Sequence, residues 1–179
     1  MTTDAQALAA LTRWAVGAGA RIHWQVADDS RHPSLDFEVA EPFAVRLVAA
    51  DGNWMLDTST SRGSRSTKLG STELPPGNVF TAVLEALYVI ATDEFDDIDR
   101  AGSEAVAQVL RLAADESGQA LFGARSASLL AGHAIKNGYG LQASLRLEEA
   151  AALFTAAGDD EAAASVLEVL STLPQLLRA

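Results

Sequence analysis

The 179-residue sequence has no cysteine, which excludes disulfides, thiolate metal ligands and thiol nucleophiles. Histidine is scarce: His23, His32 and His133 are the only three, and none has a second ligand type at helical metal-binding spacing. His23 falls on the wetter face of a predicted strand and His32 lies beside Pro33 in a loop, so no catalytic or metal role is expected of the three. No window approaches the roughly 18–20 continuous apolar residues that a membrane span needs. The opening Met-Thr-Thr-Asp has neither a basic start nor an apolar run, so no signal peptide is expected. Three catalytic signatures are also missing. Gly63 to Gly70 contains the residue types of a phosphate-binding loop in the wrong order, and there is neither a Gly-x-Ser-x-Gly elbow nor a Gly-x-Gly-x-x-Gly turn.

Positive charge is the other shortage. Thirteen Lys and Arg stand against 24 Asp and Glu, a formal net charge of −11, and most of the acidic excess falls beyond residue 92. Such a field repels phosphate backbones, so neither nucleic acid nor membrane is an expected partner. It speeds association with a basic protein. The commoner use of an acidic surface is solubility, and both readings stand at this stage. Hydrophobic residues make up 49% of the chain, ample for a packed core. The absence of cysteine suits a cytoplasmic location.

The most apolar stretch organises the rest. From Val79 to Ala91, a helical period brings Val79, Val83, Leu84, Leu87, Ile90 and Ala91 to one broad face, leaving Thr81 and Glu85 polar. Pro75, Pro76 and Gly77 precede it and Asn78 is a suitable N-cap. Asp4 to Ala18 reads as an amphipathic helix ended by Gly17 and Gly19. The period then switches to two: Ile22, Trp24 and Val26; Leu35, Phe37 and Val39; Phe43, Val45 and Leu47; Trp54, Leu56 and Thr58. Asp51-Gly52 is a hairpin signal, and a turn near Arg62-Gly63 leads into a polar strand from Arg65 to Leu69. The expected fold is α+β: an N-terminal helix, then a four- to five-stranded antiparallel meander packed against helix 79–91, then a helical C-terminal part. The boundary falls at residue 92, with 1–92 and 93–179 packed as one unit.

Beyond Thr92 the chain turns acidic, with Asp93, Glu94, Asp96, Asp97 and Asp99. Carboxylates oppose the dipole at a helix C-terminus, so this run is expected to begin a separate turn. Asp93 and Asp97 lack the spacing of a calcium loop, and no metal or cofactor is expected. Ser103 is expected to cap a helix closed by Asp115 to Gly118, and Ala124 to Lys136 to form another. Gly138-Tyr139-Gly140 reads as a flexible joint, Leu141 to Leu145 as a short strand or lead-in, and Arg146–Ala157 and Asp160–Thr172 as a helical hairpin with Asp159 as cap and Pro174 as stop. One hairpin resembles a unit of a helical repeat, but no second copy is legible.

Candidate partner-binding residues follow from charge and aromaticity. Asp93, Glu94, Asp96 and Asp97 form an acidic docking surface. Arg62 and Arg65, with Lys68, lie near a hairpin tip, where edge-strand charge against aggregation is the ordinary explanation. Trp24, Trp54, Tyr88 and Tyr139 are the possible recognition aromatics; Trp24 and Trp54 have core packing as their default, whereas Tyr139 stands between two glycines as an interface aromatic.

The order of elements is also informative. A helix ending in Trp14-Ala15-Val16-Gly17-Ala18-Gly19 precedes the meander, Asn53-Trp54-Met55-Leu56 leads into a polar hairpin, and Val83-Leu84-Glu85-Ala86-Leu87-Tyr88 follows. Over residues 8–92 this layout resembles the small immunity proteins of bacterial polymorphic-toxin systems, including those that neutralise toxins degrading NAD. It is also similar to the small acidic secretion chaperones. The resemblance implies a non-catalytic protein-binding module that blocks a cognate toxin, or a chaperone-like holder of a secreted protein. No residue role is carried over from it. A small hydrolase or transferase using the polar hairpin from Thr58 to Ser71 is the rival class, and oligomeric state is left open.

Overall fold

A computed structural model describes residues 3–17, 24–27, 34–37, 43–60, 63–95 and 100–176. The first helix, α1 (Asp4–Gly17), starts on a capping box. The Thr3 amide donates to Gln6 Oε1 at 3.0 Å, and the Gln6 amide donates to Thr3 Oγ1 at 3.3 Å, which satisfies two amides with no partner inside the helix. Ala7, Leu8 and Leu11 are buried on its inner face.

Five antiparallel strands follow in sequential order: β1 (Trp24–Ala27), β2 (Ser34–Phe37), β3 (Ala44–Ala50), β4 (Asn53–Thr60) and β5 (Gly63–Ser71). Alternation fixes two faces. Leu35, Leu47 and Leu56 stand opposite one another in register and are fully buried. One residue along, Asp36, Arg46, Asp57 and Ser66 form a polar ladder on the other face. Arg46 grips Asp36 at 2.6 and 2.8 Å, and Ser66 Oγ donates to Asp57 at 2.5 Å. The hydrogen bond to Asp36 outweighs desolvation and raises the Arg46 guanidinium above its ordinary value. At the β3–β4 hairpin Asp51 and Gly52 have φ of 50° and 75°, the left-handed pair that a two-residue turn demands. The Gly52 amide donates to Asp4 Oδ1 at 3.1 Å, which ties this turn to α1.

Helix α2 (Pro76–Phe95) covers the dry face, with Val79, Phe80, Val83, Leu84, Leu87, Ile90 and Ala91 all buried. It is longer than the 79–91 expected. Pro76 occupies the first turn, where its missing N–H costs no bond, so Asn78 lies inside the helix instead of capping it. At the far end Asp93 and Glu94 extend α2 instead of opening a separate turn. The dipole penalty is only about 0.3–1 kcal/mol per exposed charge, and Arg65 of β5 lies 3.5 Å from Asp93 to offset it.

Four more helices follow: α3 (Arg100–Ser117), α4 (Ala120–Lys136), α5 (Gly140–Ala156) and α6 (Asp160–Leu176). Leu141 to Leu145 is therefore the first part of α5, not a strand. Pro174 sits in the last turn of α6, where little of the helix lies beyond it to be interrupted. The main core crosses residue 92 without a break, joining Val83 and Leu87 of α2 to Val106 and Leu110 of α3 and to Phe122 and Leu130 of α4.

Ser103 is not a cap but a buried residue inside α3. Its hydroxyl donates to the Ala91 carbonyl of α2 at 2.7 Å and meets His133 Nε2 of α4 at 2.9 Å. The single hydroxyl proton goes to Ala91, so His133 donates from Nε2. His133, 1% exposed, is thus a structural link among three helices.

A twenty-residue period governs the C-terminal helices. Gly118, Gly138 and Gly158 all have φ between 67° and 78°. After each, the glycine amide bonds back to the third residue before it, and the next amide to the fifth before itself. These are three successive Schellman turns, so the segment at Tyr139 is a tight corner, not a flexible joint. Gly123, Ala143 and Ala163 occupy equivalent buried positions one turn into α4, α5 and α6. The helices consequently form an up-and-down array in which sequential neighbours pack together. Asp159 caps α6, its Oδ1 accepting from the Ala162 amide at 3.1 Å.

Candidate functional site

In an up-and-down array, α3 and α5 run the same way and α4 lies between them. A groove of about 470 Å³ lies above α4, within the usual range for ligand and peptide sites. One wall is Glu104 and Gln108, a helical turn apart on α3. The floor is Leu130, Ala134 and Asn137. The other wall is Gln142, Leu145, Arg146 and Glu149 of α5, with Tyr139 at the corner where α5 begins.

One end of the groove is closed by ions. Arg111 of α3 is only 14% exposed, and its Nε donates to Glu149 Oε1 at 3.0 Å. The guanidinium also pairs with Asp115, and Glu149 accepts a second bond from Arg146 at 2.7 Å. Gly123 of α4 lies beneath the crossing. A Cβ there would stand 3.6 Å from Arg111 Nη1 and 3.4 Å from Leu153 Cδ1, so the arginine passes directly over the α4 backbone. Burial works to raise the Glu149 carboxyl, but hydrogen bonds from Arg111 and Arg146 outweigh it and hold the group below its ordinary range. Burial likewise works to lower Arg111, and its bonds to Asp115 and Glu149 more than reverse that.

The other end is open and apolar at its lip. Tyr139 is 57% exposed, Leu145 56% and Leu141 77%, the largest apolar exposure recorded among the described residues. These three large side chains, within seven residues of one another at the start of α5, are the most exposed large hydrophobics among the described residues, which marks a surface suited to a partner.

The remaining sequence candidates are elsewhere. Arg65 and Asp93, proposed from opposite charges, pair with each other beside a second, shallower cleft of about 260 Å³ between β5 and α2. Glu94 lies in the last turn of α2. Arg62, Asp96 and Asp97, like His23 and His32, lie outside the described residues. Trp54 is buried in the core, and Tyr88 packs under the Arg125 guanidinium at 5.1 Å. Along the polar hairpin, Ser59 meets Ser64 at 2.7 Å and Ser66 meets Asp57, so these hydroxyls are spent on cross-strand pairing. Among the described residues no group of three acidic or imidazole side chains could hold a metal ion, and no helix is long and apolar enough to cross a membrane.

Of the groove, sequence reading found Tyr139 alone. Glu104, Gln108, Gln142 and Arg146 were missed because no local pattern marks them. The available signal was the glycine spacing at 118, 138 and 158, whose first two members mark the chain reversals that bring α5 alongside α3. No protein-family model, curated protein or solved structure matches the chain.

Proposed function

We propose that this chain is a non-catalytic protein-binding module whose groove between α3 and α5 takes a segment of a partner protein. The observation that carries this reading is the exposed pair Tyr139 and Leu145 lining a polar groove, with exposed Leu141 one helical turn before Leu145. Aromatic and apolar anchors beside polar walls are the usual composition of an interface core. Arrays of stacked helices commonly bind extended segments across their faces. The net charge of −11 adds steering toward a basic partner.

Within that class the protein is an immunity protein acting in the cytoplasm on a cognate toxin, a reading that rests on the layout of residues 8–92. The test is co-expression. A protein captured by the immobilised chain should be toxic when expressed alone and harmless beside it. The Tyr139→Ala, Leu145→Asp double variant should fold normally and lose both capture and protection. A captured partner that is not toxic, and is bound only before its export, would establish the chaperone-like alternative instead. Unimpaired capture by the folded double variant would remove the groove from the interface.

A further inference from the structure

Charge in the groove is unevenly spent. Arg111, Asp115, Arg146 and Glu149 are joined in one network, two cations against two anions, and cancel. Glu104 also lines the groove, half-buried, and has no ion pair or side-chain hydrogen bond among the described residues. The side-chain amides of Gln108, Asn137 and Gln142 face the same space without a bonded partner there. An aromatic ring, Tyr139, stands at the rim. One uncompensated carboxylate, amide oxygens and a ring face are the complement of a cation with several N–H donors.

We propose that this end of the groove receives an arginine side chain of the partner protein. Glu104 pairs with its guanidinium, Tyr139 stacks on the planar face, and Leu141 and Leu145 cover the apolar residues flanking it. Arginine fits better than lysine, because its guanidinium is planar, more weakly hydrated, and bonds and stacks at once. The fold already makes this contact internally, where Arg125 lies 5.1 Å from the centre of the Tyr88 ring and 5.5 Å from that of Phe122. The inference rests on the reading of the groove as a protein-binding surface and adds the chemistry of its occupant.

The experiment is an NMR titration of the isotope-labelled full chain with the capped peptide leucine-arginine-leucine and with its citrulline counterpart, which keeps shape and loses charge. The arginine peptide should shift the amides of Glu104, Gln108, Tyr139 and Gln142. The citrulline peptide should bind about tenfold more weakly or worse, equivalent to about 1.4 kcal/mol. Glu104→Gln should abolish that preference without lowering the melting temperature. Equal binding of the two peptides, a preference that survives Glu104→Gln, or no shift in the groove with either peptide would overturn the inference. If neither peptide binds there but a whole partner still depends on Tyr139 and Leu145, the groove reading stands and the arginine assignment alone fails.

Discussion

Arg111 of α3 and Glu149 of α5 hydrogen-bond across the intervening helix, Nε to Oε1 at 3.0 Å, and this contact closes one end of the groove. It joins two helices separated by a whole element of the array. Its consequences reach both stability and the shape of the candidate site.

Acid should test it first. Glu149 is held below its ordinary value near 4.5 in the folded protein. A carboxyl depressed by folding contributes stability that is fully present above its unfolded value and is lost as pH falls through the folded value. Melting temperature should therefore be level near neutrality and decline below about pH 4.5. In Glu149→Gln that part of the acid decline should shrink, while the variant is less stable at pH 7 because Arg111 is left buried and underpaired. Parallel melting curves from pH 7 to 3 decide it, and equal acid slopes in the two proteins would refute the assignment.

Gly123 should tolerate one carbon and no more. An added Cβ meets Leu153 and Arg111 at ordinary contact distance, and alanine gains up to about 1 kcal/mol of helix propensity over glycine. Gly123→Ala is thus expected to be neutral or mildly stabilising. Gly123→Val pushes branches into the path of Arg111 and should cost about 1–3 kcal/mol, as overpacking generally does. Chemical denaturation of both variants measures this, with the valine form also showing a disrupted Arg111–Glu149 pair.

The Ser103 link predicts a different signature. Ser103→Ala removes the partner of the His133 Nε2 donor and the side-chain bond to the Ala91 carbonyl, at a cost of about 1–3 kcal/mol for a buried donor left unmade. His133→Gln should be similarly destabilising while leaving partner binding per folded molecule unchanged, since neither residue lines the groove. A stable, fully folded Ser103→Ala protein would show that the three-helix junction does not depend on this bond.

The sheet and α2 were legible because their patterns are local. Leu35, Leu47 and Leu56 alternate with polar neighbours, Asp51-Gly52 has the turn chemistry of a hairpin, and the face of Leu84 and Leu87 has an unbroken helical period. Such signals depend only on residues a few positions apart. Helix ends are less legible, because the dipole that disfavours Asp93 is local to its own helix while Arg65, which offsets it, lies on a neighbouring strand.

Ser103 looked like a cap for the same reason: its real partners, Ala91 and His133, lie on other helices. The sequence by itself determined an α+β chain with a dry-faced meander, an apolar central helix, an acidic C-terminal half and one exposed aromatic at Tyr139. Tertiary structure alone decided the groove. Glu104 and Gln142, or Arg111 and Glu149, are 38 residues apart. They become neighbours only when successive Schellman turns fold α5 back alongside α3, and a side chain carries no local mark of a neighbour that two chain reversals will bring to it.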